Sequence, residues 1–208
     1  NGSVHHGMPG EQYIFSPKSE GYLAFLGRIS PEKRPDRAIE IATKLGKRLK
    51  MAAKVDAADK RYWEETIRPL VEGNPLIEFI GEIGDHQKSA FLGGAEALLF
   101  PIDWPEPFGL VMIEAMACGT PVVSSRAGAL GEVLGEAALY VQPDDPVTMA
   151  DAVARVIDDH VERHKLISAG LQQAARYNWG HTAETTAALY RQLSGHGGLA
   201  ASGKGISQ

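Results

Sequence analysis

Only one cysteine, Cys118, occurs in the 208 residues, so no disulfide can form within the chain and a reducing compartment is expected. Its neighbours Met116, Ala117 and Gly119 offer no base, which argues against a nucleophilic thiol. Basic residues are not in excess either. The formal net charge of -5 removes the cationic face that nonspecific nucleic-acid binding needs, while leaving room for a local cationic pocket. No apolar run reaches the ~18 residues of a membrane-spanning helix, and no signal peptide stands at the start. No Gly-x-Gly-x-x-Gly follows a strand candidate, and no P-loop is present. The chain also lacks an initial methionine, opening Asn1-Gly2-Ser3-Val4-His5-His6-Gly7; an excised fragment or a processed product is the expectation.

What is there is the composition of a globular protein with a real core, 44% hydrophobic and 23% charged. Residues 1–20 are rich in Gly, Pro, Ser and His without periodicity and read as an entry linker; adjacent His5 and His6 project differently from an extended backbone and make a poor metal pair. From Tyr22 onward, short apolar runs alternate with amphipathic stretches. Strand candidates are Tyr22–Leu26, Leu49–Ala53, Leu76–Ile80, Ala97–Phe100, Pro121–Ser124 and Ala138–Val141, each bounded by Gly, Pro or Asp. Helices are predicted from Pro35 to a stop at Gly46, then over Lys60–Glu72, Gln87–Gly93, Phe108–Cys118, Gly128–Leu134, Val147–Asp158, Val161–Tyr177 and His181–Leu193. This alternation predicts an α/β, Rossmann-like parallel sheet of six strands with helices on both faces, over residues 21–193. The glycine-rich tail, 194–208, has too little to bury and is expected to be disordered.

Such a sheet binds ligands beyond the carboxyl ends of its strands, and the polar residues of interest cluster there. After the first strand, Gly27-Arg28-Ile29-Ser30-Pro31-Glu32-Lys33-Arg34 places three cations at a strand exit, suited to phosphate oxygens. A solvated loop in which Glu32 neutralises one of them reads equally well. Glu82 and Ile83 are bracketed by Gly81 and Gly84, which exposes backbone to a flat base or simply turns the chain. Glu106 precedes Phe108-Gly109-Leu110, whose helix start directs free N–H groups outward toward a phosphate or sugar oxygen. Glu106 on its own also reads as a solvent-facing loop acid. Glu114 stands eight positions further on, two turns inside an apolar helix and too deep to act as a cap. An unpaired buried carboxylate is costly, and a ribose diol would satisfy it. The loop-versus-helix placement disfavours a glycosidase-type acid and base pair. Lys54 and Gly128-Ala129-Leu130-Gly131-Glu132 are further candidates for phosphate contact.

Together, Phe25-Leu26-Gly27-Arg28 with Glu32-Lys33, Phe79-Ile80-Gly81, Glu106-Pro107-Phe108-Gly109-Leu110 and Glu114-Ala115-Met116-Ala117-Cys118-Gly119-Thr120-Pro121-Val122-Val123 resemble the donor-binding domain of retaining glycosyltransferases of the GT-B fold, family 4. The likeness runs from about Val4 to Leu193. It departs near Lys54, where many relatives carry glycine, and at Gly128-Ala129 and Gly131-Glu132, where many carry Gly-Gly and Pro-Glu. The resemblance implies a hexosyltransferase-type enzyme using a nucleotide-diphosphate sugar, with no metal or other cofactor. Arg28 and Lys33 would hold the donor diphosphate, with Gly27 beside them. Glu114 would take the ribose, Glu82 and Ile83 the base, and Glu106 with the amides of Phe108, Gly109 and Leu110 the sugar. It further implies an amino-terminal acceptor domain outside this chain, without which donor binds but no sugar is transferred. A cytoplasmic location follows, with any contact with the inner membrane surface made by that other domain. An epimerase-like domain and a non-catalytic nucleotide-binding module are the rival readings.

Overall fold

The computed structural model describes residues 3–142 and 144–196. Six parallel strands form one sheet: β1 (Tyr22–Arg28), β2 (Arg48–Lys54), β3 (Ile77–Gly81), β4 (Ala95–Phe100), β5 (Val122–Ser124) and β6 (Ala138–Tyr140), in the order β3-β2-β1-β4-β5-β6. Strand order reverses between β1 and β4, which creates a crevice at their carboxyl ends. β1 is central and buried on both faces, so its residues are apolar on both: Tyr22, Ala24 and Leu26 point to one layer, Leu23 and Phe25 to the other. Helices α4 (Asp85–Gly93), α5 (Leu110–Ala117), α6 (Leu130–Leu134) and α8 (His160–Ala175) contribute to the first layer; α1 (Pro35–Leu45) and α7 (Pro146–Asp158) contribute most of the second. The predicted six-stranded Rossmann-like sheet is therefore present.

Several boundaries differ for local reasons. The helix predicted over Lys60–Glu72 is built of α2 (Lys60–Tyr62), a π-helical segment (Trp63–Ile67) and α3 (Arg68–Glu72). α5 begins at Leu110 rather than Phe108, because Gly109 is left-handed (φ 89°) and serves as its N-cap. The segment before β1 is not a free linker. Met8 and Tyr13 are buried in the core, Met8 N donates to Tyr177 O at 3.1 Å, and Met8 bridges Asn178. The last helix, α9 (Trp179–His196), carries the fold past the predicted tail boundary at Ser194; residues 197–208 of that tail lie outside the described residues. From Trp179 to Ser194 this helix buries no residue.

Candidate functional site

The crevice is built from three stretches: the turn after β1, the loop between β4 and α5, and the loop after β5. The first enters a short 3-10 turn, Pro31–Lys33, and then Arg34, the only described non-glycine residue with positive φ (51°). The strain is held by charge. Arg34 forks onto Asp36 (Nη2–Oδ2 2.7 Å, Nε–Oδ1 3.0 Å) and reaches Asp103 at 3.4 Å; Arg37, buried, meets the same Asp103 at 3.2 Å. Tyr62 donates its hydroxyl to Asp36 at 3.0 Å. Burial pushes the Asp36 carboxyl up, but the Arg34 fork and the Tyr62 hydroxyl outweigh it and hold the group below its ordinary value. Arg34, read from the sequence as a phosphate-facing cation, is thus a clamp for the turn.

That clamp aims Lys33 across the crevice. Lys33 Nζ forms a close ion pair with Glu106 Oε2, and the side chains are only 15% and 11% exposed. The Lys33 ammonium also lies 5.3 Å from the Phe100 ring centroid. Glu106 is therefore no solvent-facing acid. Its backbone is fixed as well, since Ala129 N donates to Glu106 O at 2.8 Å, which ties the loop after β5 to it. Gly128 makes this approach possible: a Cβ there would sit 2.5 Å from Glu106 N and O, and its φ is 61°. The Ala129 amide is consequently engaged with Glu106 and not open to a phosphate.

Arg28 does not join Lys33. Half exposed, it lies 3.4 Å from Glu32 and 3.8 Å from Asp56, and Lys54 pairs with Asp56 at 2.9 Å. The neutralising role of Glu32, one of the two readings of this loop, is the one the structure displays, although both contacts are long. Gly27 has no atom within 4 Å of where a Cβ would stand, so a ligand can come close to the backbone there; the same holds for Gly81. Beside Gly81, Glu82 is exposed, while Ile83 packs partly against the core.

Glu114 is buried at 7% exposure on α5. Its isolation, inferred from the apolar helix around it, needs correction. Oε1 accepts from the Tyr13 hydroxyl at 2.6 Å and lies 3.4 Å from Lys88 Nζ. Only Oε2 is buried with no partner among the described residues. Phe108, expected to offer its amide toward a sugar, turns its ring into an aromatic cluster with Tyr177 (5.3 Å, edge-on), His6 (5.9 Å) and His5 (6.2 Å). His5 also reaches Glu132 at 2.9 Å, so the histidine pair ties the amino-terminal segment to the site loop. Leu110 opens α5 and is partly exposed.

Two concavities flank this centre. One, of about 600 Å³, lies along Val4, His6, Pro107, Phe108, Glu132 and Trp179. The other, of about 540 Å³, lies along Asp103, Ser125, Arg126, Tyr140 and Thr148. Lys33, Glu106 and Glu114 line neither. What the arrangement offers is a cation and a carboxylate in contact at the strand-order reversal, beside a helix start whose first amides have no intrahelical acceptor, with a second, incompletely satisfied carboxylate further along the same helix. Tyr13 and Lys88 are the residues that sequence reasoning missed.

The fold is a Rossmann-like domain of the GT-B type. Residues 12–173 match the family described as Glycosyl transferases group 1, and the chain belongs to that family. A D-inositol 3-phosphate glycosyltransferase of Nocardioides sp. is 29% identical over 205 residues, covering 85% of this chain and 42% of that protein. Among solved structures, sucrose-phosphate synthase from Thermosynechococcus elongatus is 25% identical with a TM-score of 0.80, over 93% of this chain and 52% of that one. The Anabaena protein Alr3699/HepE in complex with UDP and glucose is 19% identical with a TM-score of 0.81, over 91% and 56%. This chain spans less than half the length of the curated relatives it matches. Among the described residues, no helix is long and apolar enough to cross a membrane.

Proposed function

We propose that this chain is the donor-binding half of a retaining, family 4 glycosyltransferase, which holds a nucleoside-diphosphate sugar while an amino-terminal domain of the same protein seats the acceptor. The observation that carries the reading is the contact between Lys33 and Glu106 at the β1/β4 crevice. In a nucleotide sugar the diphosphate adjoins the sugar, so a phosphate-binding cation and a sugar-gripping carboxylate must be neighbours. As the glycosidic bond breaks, charge grows on the leaving diphosphate, and Lys33 and the α5 amino terminus face it; Arg28, loosely held, swings in. Each charged hydrogen bond of this kind contributes about 1.5–3 kcal/mol. Glu114 takes the ribose, Gly81 to Ile83 take the base, and no metal is required. UDP in the Anabaena protein supports the nucleoside diphosphate. The reaction is placed in the cytoplasm, with any contact with the inner membrane surface made by the other domain.

Alone, the chain binds donor without transferring sugar, since acceptor alignment and water exclusion need the other half. Calorimetry of the chain with UDP, GDP and ADP is expected to give a dissociation constant between millimolar and micromolar for one of them, about 4–8 kcal/mol. No heat with any of the three at high concentration would overturn the reading.

A further inference from the structure

The two oxygens of Glu114 are treated unequally. Oε1 takes two donors: the Tyr13 hydroxyl at 2.6 Å and Lys88 Nζ at 3.4 Å. Lys88 is itself held from its other side by Asp85 Oδ1 at 2.9 Å. Oε2 is closed to solvent and has no hydrogen-bond partner among the described residues. Buried acceptors are almost always paired, so an orphan oxygen on a charged group marks a place where a donor is missing. Both donors to Oε1 are stable in that role. Burial and then the bond to Glu114 push the Tyr13 hydroxyl far above the usual phenol range, so it keeps its proton. For Lys88, burial favours the neutral form, but the bond to Asp85 and the charge of Glu114 outweigh it and raise its pKa, so it stays a cation.

We propose that Tyr13 and Lys88 are positioning residues that clamp Glu114 by one oxygen and reserve the other, Oε2, for a hydroxyl of the ligand's ribose. The inference rests on the nucleotide-sugar reading above and adds two residues that never touch the reacting atoms. A carboxylate held by a single bond can rotate and satisfy itself elsewhere. One held through two donors on the same oxygen has its plane fixed, and the second oxygen stays short of a donor until a ligand brings one. Because Oε2 is covered, the hydroxyl reaches it through a side-chain movement. Tyr13 is buried so that its ring joins the core and its hydroxyl serves the site.

The test is calorimetry on the full chain with UDP and 2′,3′-dideoxy-UDP, and with the corresponding GDP and ADP pairs, for the wild type, Tyr13→Phe, Lys88→Met and Lys88→Arg. The wild type is expected to favour the ribose form by about ten- to a hundredfold, the worth of one charged hydrogen bond. Tyr13→Phe and Lys88→Met should each shrink that preference to about threefold or less, with dideoxy affinity unchanged, because only the hydroxyl contact is lost. Lys88→Arg should recover part of it. A merely structural role would lower thermal stability or weaken both ligands equally and leave their ratio intact; that result overturns the proposal. So does a preference that grows in the variants, which would make Tyr13 and Lys88 competitors of the ribose. A wild type that binds without discriminating ends this inference and spares the nucleotide-sugar reading, whereas a wild type that binds none of the nucleotides ends both. Should Tyr13→Phe fail to fold, the lysine variants decide alone.

Discussion

Glu106 and Glu114 stand eight positions apart on one loop-and-helix segment, both largely hidden from solvent, and their charges are balanced in different ways. Glu106 meets a full counter-charge, Lys33, delivered by a turn that Arg34, Asp36, Arg37 and Asp103 pin in place. Glu114 meets a neutral phenol and a lysine already shared with Asp85, and one of its oxygens goes without. The first arrangement is complete before any ligand arrives, so removing a partner strands a charge. The second is unfinished, so its energy is realised on binding. The contrast teaches that two acids of one ligand site can differ in what they contribute to the fold before a ligand arrives, and substitutions can separate the two.

The largest effect is expected from Lys33→Ala. It leaves Glu106 at 11% side-chain exposure without its cation, and breaking a buried pair from one side destabilises by about 3 kcal/mol, the lower end of the range because some water access remains. Urea unfolding reads this directly. The double variant Lys33→Ala/Glu106→Ala should regain most of the loss, since no charge is then stranded. A double variant as unstable as the single one would show that the unpaired Glu106 carries no penalty, and the comparison would fail on the Glu106 side.

Glu114→Gln sharpens the other side. The amide oxygen still accepts from Tyr13, so unfolding free energy should change by no more than about 1 kcal/mol. Affinity for the nucleoside and for the diphosphate of whichever base binds should both fall by about ten- to a hundredfold as a charged acceptor becomes a neutral one. Arg28→Ala is the companion measurement. Exposed and loosely paired, it should leave stability within about 0.5 kcal/mol and weaken the diphosphate about tenfold, with the nucleoside unaffected. Equal losses for nucleoside and nucleotide in both variants would erase the division of roles between ribose and phosphate.

Which of these features could be read without coordinates follows from how local they are. The six strands were legible because each is a short apolar run bounded by turn residues, and β1 announces a central strand by being apolar on both faces. Strand ends were less so. β2 begins at Arg48 because it pairs with Tyr22 through the backbone, and ladder bonds do not require an apolar side chain. Gly109 is buried against Met112 and Leu130, and its left-handed φ delays α5 to Leu110, which periodicity alone does not register. Glu114 was conspicuous as a carboxylate in an apolar helix, while its partners were invisible: Tyr13 is 101 positions away, in a stretch composed like a linker. Lys33 and Glu106, 73 positions apart, were each singled out, but nothing local says that they touch. Long-range pairing is set by topology, so the oddity of a residue can be read locally and its resolution cannot.

The smallest expected effect comes from pH, and it separates the two regions at opposite ends of the scale. On the Lys33 side, Asp36 holds the Arg34 clamp with its pKa depressed below the ordinary carboxylate value. The unfolded chain therefore binds this proton more readily than the folded one. The stability the clamp contributes is fully present above the unfolded value, about 3.9, and is lost as pH falls through the lower folded one. On the Glu114 side, the Tyr13 hydroxyl is raised well above the ordinary phenol. Its contribution is fully present below the unfolded value of about 10 and is lost as pH rises beyond it. Asp36→Asn should flatten the acid limb of a stability-against-pH curve, and Tyr13→Phe the alkaline limb. Each limb reflects a single group, the partly exposed Asp36 and the buried Tyr13, so the slopes should change while the plateau near neutrality keeps its shape. If Tyr13→Phe left the alkaline limb as steep as before, the Tyr13–Glu114 bond would contribute no stability of its own, and the division between a finished and an unfinished carboxylate would have to be abandoned.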